Sequence, residues 1–195
     1  MNAAPVLIAV PVPRRAMLAD VETMSRMINR YAAKGLMLPK SPAELSRNFR
    51  EYVVLLGPGG VVACGGLRVY SNELAEVVGL AVHEEWQGGG LGSRVVEHLI
   101  EEARALEIKR VFAMAFEPRF FHPIGFRTIP REWLPEKVAS DCVGCARRME
   151  CKEVAVLMDL DSDAPSLASR ARVGLRIFEA TPALGGGQVD LGHCS

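Results

Sequence analysis

The sequence has no excess of either charge: 23 Lys and Arg stand against 23 Asp and Glu. That balance removes the electrostatic ground for nucleic acid or an anionic membrane surface as the main partner. Long hydrophobic runs are missing too. Near the start, "VLIAV" over residues 6–10 is too short to cross a bilayer and has no basic flank ahead of it. Neither a membrane span nor a secretory leader is expected. No internal repeat is evident, so the chain is read as one unit. Cysteines are few and odd in number, five. With no export signal they are expected as reduced thiols in the cytosol. Apolar residues make up 49% of the 195, ample for a core and contrary to wholesale disorder. One domain is expected over residues 1–160, followed by a tail over 161–195 that turns polar ("DSDAPSLASR") and then Gly-rich.

The periodicity then predicts elements. "VLIAVPVP" reads as a first strand, its prolines suited to an edge or end. Over 17–31, Leu18, Val21, Met24, Met27, Ile28 and Tyr31 fall at helical spacing, with Asp20 near the first turn and Gly35 as a stop. "SPAELSRNF" predicts a second helix with Ser41 as N-cap, Pro42 at the first helical position and Glu44 completing a capping box. "YVVLL" and "VVACGGLRVY", joined by "GPGG", read as a hairpin, and "AEVVGLAV" as a further strand. A helix follows over 91–106, with Leu91, Val95, Leu99, Ala103 and Leu106 on one face. "RVFAMAF", "GFRTI" and "EVAVLMDL" are the remaining strands. Helices early, an antiparallel meander and one helical crossover give an α/β fold with a mixed, largely antiparallel sheet.

Four glycines fall within "QGGGLG", residues 87–92, directly ahead of that amphipathic helix. Glycine is a costly residue there unless positive φ or bare backbone is needed. A strand, a short loop, glycines and a helix N-terminus make an anion cradle, because the unpaired N–H groups of the first turn point at one phosphate cluster. Side chains at Gly88, Gly90 and Gly92 would hold a pyrophosphate away from those donors, and Gln87 can add an amide. A P-loop is excluded, since "GSR" stands where Lys and Ser/Thr are required. A dinucleotide fingerprint is disfavoured because "HEEW" separates the strand from the glycines. Gly79, in mid-strand, marks a bulge or a close approach. A bulge there would splay the strand from "RVFAMAF" and free an N–H near Leu80 or Ala81 to serve as an oxyanion donor. The alternative is a helix or side chain crossing tightly over Gly79.

The remaining pattern, Q/R-x-x-G-x-G/A at Gln87, Gly90 and Gly92, resembles the coenzyme A pyrophosphate loop of the GNAT acyltransferase superfamily. The likeness extends to "FFHPIGF" and, in element order, to about four-fifths of the chain. More narrowly, "LMLPKS", "NFREYVV", "LAEVVGLAV", "LPEKV" and "DCVGC" resemble the short N-acetylglutamate synthases that lack a kinase domain. The resemblance implies a GNAT-like sheet with strands splayed around the CoA site, acetyl-CoA as cosubstrate, and N-acetylation of an amino acid. Glutamate comes first, at the entry to arginine synthesis, and glutamine close behind. Another small amine, or a CoA-binding regulatory module without turnover, stays open. The implied partners are a small amino-acid substrate, neither nucleic acid nor membrane, with a homodimer left open.

By the same resemblance, the CoA site comprises Gln87, Gly88, Gly89, Gly90, Leu91, Gly92 and Ser93. The backbone at Leu80, Ala81 and Val82 pairs with the pantetheine arm, and Phe121 lies alongside. Glu76 matches the strand glutamate that serves as base in some members; the alternative is an exposed carboxylate or a partner for Arg68. Arg68 first, then Lys40 and Lys137, are candidates for the substrate's carboxylates, because charge-assisted pairs suit carboxylate recognition. Three departures from the family stand out: Lys40 and Val78 replace usual arginines, and Phe121 replaces a Tyr that serves as thiolate acid. Tyr70 can supply that proton, or simply pack with its hydroxyl wet. Transfer is expected to be direct, since no cysteine sits at a plausible nucleophile position. Cys142, Cys145 and Cys151 offer three of the four ligands a structural zinc site wants, and no metal is assigned.

Overall fold

A computed structural model describes residues 12–145 and 150–160. The expected first strand, apart from Val12 and Pro13, and the tail over 161–195 lie outside the described residues. The described residues form a seven-stranded sheet in the order β1-β2-β3-β4-β5-β7-β6. The strands are β1 Pro13–Arg15, β2 Tyr52–Gly57, β3 Gly60–Ser71, β4 Leu74–Val82, β5 Arg110–Ala115, β6 Arg127–Ile129 and β7 Val154–Asp159. Every pairing is antiparallel except β4 with β5. Those two are joined through helix α3, Leu91–Ala105, the predicted crossover.

Strand alternation sorts the core into two layers. Val53, Leu55, Ala63, Ala75 and Val111 pack under α3, against Val95, Val96 and Leu99. Tyr52, Val54, Cys64 and Val78 face the other way, against Met24, Ile28 and Leu45 of helices α1 (Val21–Ala33) and α2 (Pro42–Asn48). The α3 stripe falls as expected except at Leu106, which lies past the helix end and is 53% exposed. Asp20 ends a 3₁₀ turn (Leu18–Asp20) and stands at the head of α1 as expected, in the N-cap position but without a side-chain cap bond; its carboxylate accepts from Arg14 at 2.7 and 2.9 Å and from the Met17 N–H at 2.7 Å. Gly35 stops α1 at φ +75°, its N–H bonded to Ala32 O and the next N–H to Tyr31 O. Ser41 caps α2 by accepting from the Glu44 N–H at 3.1 Å. The Glu44 carboxylate accepts from Lys40 Nζ at 2.5 Å, so the expected capping box forms in one direction.

The bulge predicted at Gly79 is present. Cys64 pairs with Ala81 and Gly66 with Val78, so Gly79 and Leu80 together oppose Gly65. Gly79 has φ +58°, and a Cβ there would stand 2.9 Å from Tyr52 Oη and 3.0 Å from its Cε1. Both readings of this glycine therefore hold: it bulges, and a side chain crosses it closely. Gly79→Ala combines left-handed strain with an overpacked core and is expected to destabilise by roughly 2–5 kcal/mol, as measured by urea unfolding.

Candidate active site

The two central strands part company just where the bulge begins. Ala75 pairs with Val111 and Glu76 with Phe112, and the β4–β5 register ends there. Beyond that point the strands diverge around a cleft of about 960 Å³, with Val77 to Leu80 on one wall and Ala113 to Phe116 on the other. Strand backbone released from pairing keeps its donors and acceptors, so β4 offers an extended ligand a ladder edge inside the protein.

One end of the cleft meets the glycine loop. Gly88 and Gly90 take φ of +78° and +77°, and Gly90 is the N-cap of α3. The first bond of the helix runs from the Arg94 N–H to Gly90 O at 3.1 Å, leaving the N–H groups of Leu91, Gly92 and Ser93 ahead of it as orphan donors. A Cβ at Gly88 or Gly90 would meet nothing within 4 Å, so the surface above the loop is bare backbone facing open space. That geometry fits a diphosphate. Gly92 is different, since its Cβ would meet Phe120 Cζ at 3.2 Å.

The other end is polar. Register sets Arg68 opposite Glu76, and Tyr70 joins them on the same face. Glu76, only 3% exposed, accepts on Oε2 from Tyr70 Oη at 2.7 Å and from Lys137 Nζ at 2.9 Å. Asp141 Oδ2 accepts from Lys137 Nζ at 2.8 Å and from Arg68 Nη1 at 3.4 Å, and stands 2.7 Å from Tyr70 Oη, whose one proton can go to either carboxylate. Lys137 ends the short helix α4 (Pro135–Lys137), and Asp141 sits on the wide turn that continues it, Val138–Cys142. The Phe112 ring lies 5.8 Å from that of Tyr70. Burial pushes the Tyr70 phenol well above its ordinary range, and the carboxylates of Glu76 and Asp141 push it further. Burial pulls Lys137 down, but Glu76 and Asp141 outweigh it and hold the ammonium above its usual value. For Asp141, burial is outweighed by the bonds from Lys137 and Tyr70, which keep its carboxyl below the usual range.

A gap between splayed strands, a bare glycine loop at a helix N-terminus and a buried carboxylate at the far end form one continuous site. Residues 22–126 match the acetyltransferase (GNAT) family. The chain belongs to that family. An uncharacterised N-acetyltransferase of Chlorobaculum tepidum is 33% identical over 147 residues, 75% of this chain and 95% of that protein. An amino-acid acetyltransferase of Mycobacterium tuberculosis is 37% identical over 122 residues, 61% of this chain and 70% of that one. The N-acetylglutamate synthase of Neisseria gonorrhoeae, solved with coenzyme A and N-acetylglutamate, superposes with a TM-score of 0.71 at 26% identity. That likeness covers 78% of this chain and 36% of the synthase, so the chain spans about a third of that relative.

In this GNAT acetyltransferase the sequence-predicted residues do not all meet. Arg68, Tyr70, Glu76 and Lys137 converge on one cluster. Lys40 lines the same cleft, but its ammonium is paired with Glu44. Its backbone is pinned to α1, with N–H to Asn29 Oδ1 at 3.0 Å and O accepting from Ser25 Oγ at 2.8 Å. Gln87 does not point a free amide into the cleft: it donates to Tyr31 Oη at 2.7 Å, which donates to Val82 O at 2.7 Å. Phe121 is buried, edge-on to Phe120 and Phe126, and lines the cleft with an apolar ring. Tyr70 is a poor thiolate acid, because its proton is engaged by carboxylates and its pKa is raised.

Asp141 escaped the sequence reading. It lies four residues after Lys137 in "KVASD", the spacing of a helical ion pair, but the neighbouring C-x-x-C dominated the segment. Cys142, Cys145 and Cys151 line the cleft as free thiols. Among the described residues no three His, Cys, Asp or Glu side chains are grouped to hold a metal ion.

Proposed function

We propose that this GNAT acetyltransferase moves the acetyl group of acetyl-CoA onto the α-amino group of an amino acid, glutamate first and glutamine next, as the entry step of arginine synthesis. The observation that carries the reading is the buried Glu76 flanked by two cations, Arg68 and Lys137, at the end of the strand splay. An α-amino acid presents a carboxylate two bonds from the nitrogen that reacts. A site for it needs a base and a cation within a few ångströms of the thioester, and the cluster has both. The amino-acid acetyltransferases among its relatives support the same class.

Acetyl-CoA would lie with its diphosphate on the N–H groups of Leu91, Gly92 and Ser93 and its pantetheine arm along β4 from Leu80 to Val82. An N–H beside the Gly79 bulge would serve the thioester oxygen, where charge develops during attack. Glu76 takes the proton of the substrate ammonium, directly or through a water, and the freed amine attacks the carbonyl carbon. The C–N bond forms and the C–S bond breaks; the sulfur leaves as a thiolate, and the second proton, shed by the attacking nitrogen as it becomes an amide, passes to that thiolate or to water. With a conjugate-acid pKa of about 8.5 for an ordinary thiol, that group departs without a dedicated acid, which suits the phenylalanine at position 121.

Arg68 is the cation best able to accept a substrate carboxylate. Its contacts to Asp141 and Glu51 are long, 3.4 and 3.8 Å, and a guanidinium has donors to spare. Arg68→Ala is expected to raise the KM for glutamate ten-fold or more, about 1.4 kcal/mol, with acetyl-CoA binding unchanged by calorimetry. The reading itself is tested by release of free CoA from acetyl-CoA against a panel of amino acids. Turnover with glutamate or glutamine supports it. Turnover confined to other amines contradicts the substrate, and tight acetyl-CoA binding with no turnover makes the protein a CoA sensor.

A further inference from the structure

Glu76 is buried, and a base that accepts a proton at every turnover must lose it again. Tyr70 stands between Glu76 and the half-exposed Asp141, with its Oη 2.7 Å from a carboxylate oxygen of each. A phenol has one proton. It donates to one of these oxygens at a time, and its lone pairs can accept from the other whenever that one carries a proton. The site is therefore built to hold a proton in transit as well as at rest.

We propose that Tyr70 and Asp141 form the proton exit of the active site, carrying the substrate's ammonium proton from buried Glu76 to solvent. The inference rests on the function proposed above. Protonated Glu76 donates to Tyr70 Oη while the phenol's own proton passes to Asp141 Oδ2, and Asp141 releases a proton to water. One proton enters at Glu76, one leaves at Asp141, and Tyr70 keeps the number it began with. No phenolate is formed, which matters because burial makes that ion costly. Exposure runs the right way: the Glu76 side chain is 4% exposed and that of Asp141 31%.

Lys137 bridges the same two oxygens but cannot do this job. An ammonium has no lone pair, so it cannot take up a proton before giving one away, whereas a phenol holds its proton and still accepts. Lys137 is an electrostatic clamp: its ammonium is held above its usual value by the two carboxylates it bridges, and it keeps the Asp141 carboxyl below the usual range. The other charged groups facing the relay are Arg68, from β3, and Glu51, which ends the turn before β2.

The test compares the parent protein with Tyr70→Phe, Asp141→Asn and Lys137→Met, using the best acceptor of the amino-acid panel, in dilute and then concentrated phosphate or imidazole buffer. In dilute buffer, Tyr70→Phe and Asp141→Asn are expected to lose roughly ten- to hundred-fold in kcat. Both should recover as buffer concentration rises, because a small external base replaces the missing exit; the parent should not respond. Lys137→Met should lose activity without buffer recovery. A structural role for Tyr70 or Asp141 would leave the losses indifferent to buffer, and that result overturns the relay, as does parental kcat in either variant. Acetyl-CoA binding checks that the variants fold. Should Tyr70→Phe fail that check, Asp141→Asn, on its exposed turn, decides alone. A parent with no turnover for any amino acid removes the proposed function and the relay with it. An active parent with unaffected variants removes only the relay.

Discussion

Gly89→Asp abolishes measurable acetyl-CoA binding in a protein that still folds, an expected loss of hundred-fold or more, about 2.7 kcal/mol. Gly89 is the position of choice because its neighbours confound the result. Gly88 and Gly90 sit at positive φ, so any side chain there adds backbone strain of roughly 1–2 kcal/mol. A Cβ at Gly92 would press on Phe120. At Gly89 a Cβ meets only Trp86 O at 3.7 Å, ordinary contact, and the backbone tolerates an L-residue. What the substitution adds is a negative charge on a loop whose orphan N–H groups attract one. At a separation of roughly 5 Å and an effective dielectric of about 20, each unit of diphosphate charge is repelled by about 3 kcal/mol. Gly89→Asn is the control, since it keeps size and removes the charge. Calorimetry with an unchanged dissociation constant for the Asp variant would end the assignment of this loop to the diphosphate.

Glu76→Gln is expected to lower kcat by about 10²- to 10⁴-fold, the range in which a positioned general base acts, while acetyl-CoA affinity stays at the parental value. Gln preserves shape and one acceptor oxygen, so Tyr70 and Lys137 keep a partner and Asp141 still balances the ammonium. Loss of the charged acceptor costs stability, about 1.5–3 kcal/mol for a hydrogen bond to a charged group, which thermal unfolding reads separately from rate. An unaltered pH–rate profile in the variant would move the base role to a water or another side chain. This experiment and the loop variant divide the site cleanly. One removes cosubstrate binding and leaves the chemistry intact, and the other does the reverse.

The fold was legible where periodicity and punctuation agreed. The hairpin at "GPGG", the capping serine at 41 and the buried stripe of the crossover helix all follow from local chemistry. Gly79 was legible as well, because glycine in mid-strand has few explanations, and its bulge predicts the splay that makes the cleft. The far end of the site was harder. Arg68, Tyr70 and Glu76 share a face only because of pairing register and the extra residue at Tyr70, where Val69 pairs with Ala75 and Ser71 with Leu74. Strand alternation alone leaves that parity open. Asp141 and Lys137 arrive from a short turn more than sixty residues downstream of Glu76, and no local pattern announces a tertiary contact of that kind. The side-chain engagements of Gln87 with Tyr31 and Lys40 with Glu44 are equally invisible in a motif, which records a residue type but not its partner.

The central claim is that the cluster around Glu76 reads an α-amino acid, carboxylate and amine together. The most direct measurement is steady-state CoA release by the parent protein with glutamate and with its decarboxylated counterpart, γ-aminobutyrate, at equal concentration. The account predicts turnover with glutamate and a kcat/KM for the decarboxylated amine lower by ten-fold or more, about 1.4 kcal/mol for the lost ion pair. Equal turnover of the two would contradict it, because a site that ignores the carboxylate next to the reacting nitrogen is not built for an amino acid.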